Sequence, residues 1–141
     1  MKDIVDLIGR ILVSFIFIYE AVDSILYFNK TKQLMTDYGL HFQQDLLLIG
    51  AIFLLLTGGT LLLIGYRIGL GAILLMLYWI PVTFIVHSFW NDPLPDRRLE
   101  SILFMKNLAI LGSLMFIAVN TSGRFSVKTL LANTRVPKRF R

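Results

Sequence analysis

The chain has 141 residues, of which 56% are hydrophobic and 16% charged, with a formal net charge of +5, a mean hydropathy of +0.71 and no cysteine. Soluble domains carry about a quarter charged residues, so this deficit predicts a single domain whose main solvent is lipid. The absence of cysteine excludes a disulfide scaffold, a thiolate metal site, an iron–sulfur cluster and self-contained thiol–disulfide exchange, so any redox chemistry must use a bound cofactor.

The excess positive charge is local. Six of the 14 Lys and Arg residues (Arg124, Lys128, Arg135, Lys138, Arg139 and Arg141) lie in the last 18 residues, which hold no acid. That pattern fits a juxtamembrane tail drawn to anionic lipid headgroups. With no aromatic stacking surface interleaved among the charges, nucleic acid is not expected as a partner.

A bilayer core of about 30 Å needs about 20 helical residues. Four stretches supply them, at 7–28, 46–64, 68–90 and 101–119, and none alternates with the period of two that a barrel strand requires. The fold predicted is all-α: a four-helix transmembrane bundle over residues 1–120, followed by a basic cytoplasmic tail at 121–141. The first stretch follows Lys2 as a secretory signal would, but Glu20 and Asp23 interrupt it, so it is read as a retained helix. The Asn29–Asp45 connection, with its Tyr38-Gly39 turn signal, is expected to pack on the membrane surface. Tyr66-Arg67, flanked by Gly65, Gly69 and Gly71, makes a turn tight enough to force antiparallel neighbours. Pro81 predicts a kink around Leu77–Pro81 that opens space for a flat ligand beside Tyr78, Trp79 and Phe84, or that serves packing alone. Asn91–Asp96, with two prolines, is a loop on the same side as the first connection. Gly50, Gly58 and Gly59 in the second stretch and Ala109, Gly112 and Ser113 in the fourth are read as close-packing surfaces.

Cations near the helix ends set the topology. Lys2, Arg10, Arg67 and the six tail residues make nine on one side, against Lys30, Lys32, Arg97 and Arg98, four, on the other. The richer side is the cytoplasmic one, so both termini are predicted inside.

Ionisable groups within a span usually face the bundle and have partners. Glu20 and Asp23 lie about 12 and 8 Å from the end of the first stretch, and Lys106 lies about 8 Å into the fourth. Glu20, Asp23 and Tyr27, spaced i, i+3, i+7, share a face, and Lys106 is the cation expected to pair with one of the acids. His87 enters the same slab near its rim, Asn107 adjoins Lys106, and Tyr78 lies deeper. These six (His87, Lys106, Asn107, Tyr78, Glu20 and Asp23) are the candidate ligand-binding residues. The same set also suits a purely structural role of holding helices in register, and His87 suits a satisfied interfacial histidine. Arg10 is expected to snorkel to lipid phosphate. His41 and His87 are the two histidines and form no metal-ligand spacing, so no metal is expected.

The segments Gly9-Arg10-Ile11-Leu12, Tyr38-Gly39-Leu40, His87-Ser88-Phe89-Trp90 and Phe104-Met105-Lys106-Asn107-Leu108-Ala109 resemble the DoxX family over roughly Gly9 to Asn120. The resemblance implies a bacterial inner-membrane four-helix protein. The family takes its name from a subunit of an archaeal thiosulfate:quinone oxidoreductase, and other members are associated with membrane responses to oxidative or thiol stress. This sequence has Glu20-Ala21-Val22-Asp23 where many members carry Ser-Gly-x-x-Lys.

Three functions follow for testing. The leading one is an accessory subunit of a membrane redox or oxidative-stress system, with a pocket in the outer half where His87, Lys106, Asn107 and Tyr78 donate hydrogen bonds to a quinone. A structural or interaction protein with no ligand comes second, and a small-solute or proton-linked carrier third. The partners considered are membrane lipids, a membrane or cytoplasmic redox partner and a second copy of the chain.

Overall fold

Helix dominates because lipid leaves the backbone no other way to satisfy its own hydrogen bonds within one segment. The structure, a computed structural model, describes residues 1–119 and 125–133. Its elements are α1 (Lys2–Leu26), α2 (Phe28–Asp37), α3 (Gln44–Ile64), α4 (Ile68–Val86), α5 (Leu94–Val119) and α6 (Val127–Asn133), with no strand among the described residues. Three of them, α3, α4 and α5, are long and apolar enough to cross a membrane. The charges of α1 keep it from that standard alone, but α1 and α2 meet it together as a pair bent by 97°, which brings the candidates to four.

The bend corrects the expectation of one helix to residue 28 and a loop after it. Tyr27 leaves helical geometry at φ −112°, ψ 36°, and the chain continues as the polar helix α2. Lys30 stands over the Tyr27 ring and Lys32 over the Phe28 ring, each 5.8 Å from the ring centre, while Lys32 Nζ reaches Asp45 Oδ1 at 2.7 Å. The Lys32–Asp45 ion pair ties α2 back to α3. The turn at Gly39 (φ +78°) uses a conformation that costs glycine little and a side-chain-bearing residue more.

α5 starts seven residues earlier than the predicted fourth span, at Leu94 between the two prolines of the loop. Proline in the first turn lacks only an N–H that would have no intrahelical partner there. α4 ends at Val86, and the predicted last turn to Trp90 is instead a compact irregular segment. α6, with Phe125 and Ser126 before it, lies where only a tail was expected; residues 121–124 and 134–141 of that basic stretch are outside the described residues.

The helices pack in the order α1, α3, α4, α5, and the expected antiparallel pair is α3 and α4. Their backbones approach closely. A Cβ on Gly58 would lie 2.6 Å from Leu75 Cγ and 2.9 Å from the Gly71 carbonyl, and one on Gly71 would lie 3.0 Å from the Gly58 carbonyl. Gly59 does the same service against Ile18 of α1, and Gly69 against the Ala118 carbonyl of α5. Gly50 and Gly112 do not fit that reading, since a Cβ on either meets nothing within 4 Å.

The core is small: Phe17 and Ala21, Leu55 and Leu62, Ala72, Leu75 and Trp79, and Leu114. Outside it, Leu12, Phe15, Phe53, Leu77, Met105 and many other large apolar side chains are exposed. That is the distribution expected where acyl chains cover the outer surface, and where close backbone packing, not escape from water, joins the helices.

Candidate functional site

The buried positions of α1 are Arg10, Ser14, Phe17, Ala21 and Ser24, a stripe with the 3.6-residue period, and Glu20 and Asp23 lie on its shoulder. From there Glu20 meets α4: the Tyr78 hydroxyl donates to Glu20 Oε1 at 3.3 Å. Asp23 and His87 both stand within electrostatic range of the Glu20 carboxyl. Four of the six predicted residues therefore gather at one end of the bundle.

His87 terminates α4, and its Nδ1 lies 2.8 Å from Glu100 Oε2 of α5, both side chains about four-fifths buried. Glu100 was left outside the predicted span and so was missed. The signal was present, because Glu100, Phe104, Asn107, Leu111 and Leu114 recur at helical spacing and the last four line the inward side of α5. Around the pair, Phe84, Phe89 and Trp90 each set a ring edge-on to Phe104, with centres 5.5 to 5.7 Å apart. Tyr38, at the end of α2, borders the same cluster. Burial and the neighbouring carboxylates of Glu100, Asp92 and Asp37 hold its phenol above the usual tyrosine range.

Lys106 and Asn107 part company. One residue apart on a helix they point about 100° from each other. Asn107 is 7% exposed, and its carbonyl accepts a 3.1 Å hydrogen bond from Trp79 Nε1, whereas Lys106 is exposed. The expected ion pair with Glu20 or Asp23 is not formed: the ion pairs among the described residues are Arg10–Asp6, Lys32–Asp45 and His87–Glu100. α4 runs on through Pro81, and Trp79, 7% exposed, packs edge-on against Phe17 with ring centres 5.1 Å apart.

At the opposite end lies a second polar centre. Arg10 does not snorkel; it is 1% exposed. Its Nε donates to Asp6 Oδ2 (3.0 Å), Nη1 to the carbonyls of Leu62 (3.2 Å) and Leu63 (3.4 Å), and Nη2 to the carbonyl of Phe125 (2.6 Å). The guanidinium thereby ties α1 to the C-terminal end of α3, where the Leu62 carbonyl also accepts the Gly65 N–H, and to the segment leading into α6.

A sequence profile of the DoxX family matches residues 5–88, more than half of the chain. The chain belongs to the DoxX family. It is also similar to an inner membrane protein, YqjF, of Escherichia coli (strain K12), being 28% identical over 131 residues that cover 93% of this chain and 95% of that one. No solved structure matches it. The DoxX resemblance seen in the sequence now has places in the fold. Gly9-Arg10 is the centre that joins α1, α3 and α6. His87-Ser88-Phe89-Trp90 is the irregular segment laid on Phe104, and the α5 segment from Phe104 to Ala109 carries both the inward Asn107 and the outward Lys106. Within this DoxX chain, Glu20 accepts from a phenol, and no ion pair to it is formed among the described residues.

Proposed function

We propose that the chain is a multi-pass protein of the bacterial inner membrane, with both termini cytoplasmic. It acts there as an accessory subunit of a membrane redox or oxidative-stress system and holds a quinone headgroup at the His87 end. One observation carries the reading: two paired sets of polar groups, Tyr78 with Glu20 and His87 with Glu100, converge at one end of a lipid-covered bundle beside half-exposed Phe84 and Trp90. A quinone offers two carbonyl acceptors on a flat ring and a long apolar tail. On binding, the Tyr78 phenol would turn its one proton from Glu20 to a quinone oxygen and the His87 imidazole would donate from Nε2, while the exposed rings supply stacking partners and the tail stays in lipid. In this reading Tyr78, Glu20, His87 and Glu100 meet the ligand, Asp23 acts through its charge, the outward Lys106 lies outside direct contact, and Asn107, whose backbone carbonyl holds Trp79 Nε1, keeps its side-chain amide as a candidate.

The location rests on the similarity to an inner membrane protein and on the nine-to-four division of cations between the two ends. Solvent extraction of gently purified protein, followed by mass spectrometry, tests the ligand. Wild type is expected to retain quinone, and Tyr78→Phe or Glu20→Gln to retain roughly fivefold less, the effect of one lost hydrogen bond of about 1 kcal/mol. Absence of quinone from the wild type, together with no spectral change on adding it, would leave the chain a structural subunit.

A further inference from the structure

Within the spans, Arg10, Glu20 and His87 each find a partner in the fold. Asp23 and Lys106 do not: among the described residues neither side chain makes a hydrogen bond or an ion pair. Lys106 is exposed on α5 beside Ile102 and Met105, each more than half exposed, so its ammonium stands among side chains that acyl chains cover. Two hydrogen bonds fix its depth. Trp79 Nε1 to the Asn107 carbonyl and the Tyr78 hydroxyl to Glu20 put Lys106 level with Glu20, and Tyr78 lies near the middle of α4. Asp23, three residues further along α1, is about 4.5 Å nearer the His87 end, a step that a lysine stem spans. A charge at that depth is costly unless it is paired. The chain thus carries, at nearly one level, an unpaired cation on α5 and an unpaired anion on α1.

Both open on the same side of the molecule. Gly9 and Val13 of α1 and Ala109 and Ser113 of α5 border one cleft. The alternating steps of four and three residues from Gly9 through Val13 and Ile16 carry on to Glu20 and Asp23, and Lys106, Ala109 and Ser113 stand at i, i+3, i+7. α1 and α5 are also the first and last helices in the packing order, so each keeps a side that the main helix contacts leave open. A two-fold axis along the membrane normal keeps every residue at its own depth. It sets α5 of one copy against α1 of the other and brings each Lys106 to an Asp23, twice over.

We propose that the chain forms a two-fold dimer through its α1–α5 face, held by two intramembrane ion pairs between Lys106 of one copy and Asp23 of the other. An unrelated helix would have to bring its own acid to this depth, whereas a second copy already has one there. The proposal is independent of the reading at the His87 end, whose readout is bound quinone and not oligomeric state.

Native mass spectrometry of the full chain in mild detergent tests it, with Asp23→Lys and Lys106→Asp carrying different tags. Wild type is expected to be a dimer. Either reversal alone sets like charges opposite each other and is expected to weaken the dimer at least about tenfold. Co-expressed, the two variants restore opposite charges at both contacts, and a mixed dimer is expected at about the wild-type level. Where a reversed charge unfolds the chain, cross-linking decides, because the chain has no native cysteine. Asp23→Cys and Lys106→Cys chains, co-expressed and oxidised in the membrane, are expected to give a disulfide-linked mixed dimer that neither gives alone. A monomeric wild type, single reversals that dimerise as wild type does, or co-expressed cysteine variants that do not cross-link would each overturn the proposal. So would a mixture of the two reversals that stays monomeric while both chains are folded, since any pairing would then have to lie within one copy.

Discussion

At Arg10 a single side chain holds three parts of the molecule, and its five-donor fork is what makes that possible. Arg10→Ala removes the guanidinium from Asp6 and from the carbonyls of Leu62, Leu63 and Phe125, and is expected to cost about 3 kcal/mol, as removing one partner of a buried charge pair does. Arg10→Lys, with a point charge and no fork, should recover little of it. Unfolding in detergent checks both; an unchanged midpoint for Arg10→Ala would show the contacts to be passive. Gly65 depends on the same centre: it lies at φ +72°, and a Cβ there would be 2.5 Å from Arg10 Nη1 and 2.6 Å from Ser126 Cβ, so Gly65→Ala should destabilise by about 1 to 2 kcal/mol. Tyr38 gives a pH dependence. Its phenol is held above the usual range, so the folded chain keeps that proton where the unfolded chain loses it. Stability from Tyr38 is therefore complete below about pH 10 and falls as pH rises through the raised value. The alkaline fall should be shallower in Tyr38→Phe, and identical profiles would contradict the placement. Arg10 could have been recognised from sequence, since it falls on the helical stripe of Phe17 and Ala21. Its partners could not, because they are backbone carbonyls.

At the scale of elements, the helices were legible and their ends were not. Apolar length alone marked α3 almost to the residue, because nothing polar competes there. The ends of α1 and α4 shifted because Tyr27 and His87 end their helices inside segments that still read as apolar. Side-chain direction was the harder matter. Pairing Lys106 with the acids relied on depth alone, whereas the period running through Glu100, Phe104 and Asn107 turns Lys106 outward. The glycines separate the same way. Gly71→Leu should drive α4 off α3 and lower the unfolding midpoint by an amount equivalent to about 3 kcal/mol, while Gly50→Leu should change it little. Equal effects in thermal unfolding would mean that the α3–α4 crossing is looser than described. The exposed Lys32–Asp45 bridge should matter least: Asp45→Asn is expected to shift stability by no more than about 0.5 kcal/mol.

Across the whole molecule, the two ends divide the work. One is a junction built on Arg10 and bordered by cations; the other gathers Tyr78, Glu20, His87 and Glu100 under a lid of aromatic rings. Composition announced the lipid environment at once, and the cation count predicts which end faces the cytoplasm. Which polar groups meet was out of reach, because that depends on helix rotation, and four helices of almost unbroken apolarity carry little rotational signal. The chain's lack of cysteine makes the topology simple to read: a thiol at Ser88→Cys should react with an impermeant reagent added outside the inner membrane, and one at Lys2→Cys should not. The infrared difference spectrum on adding quinone to the reconstituted protein tests the central claim most directly. The account predicts tyrosine and carboxyl bands that vanish in Tyr78→Phe and Glu20→Gln respectively and persist in Lys106→Met. A spectrum without those bands, or one that Lys106→Met abolishes, would contradict it.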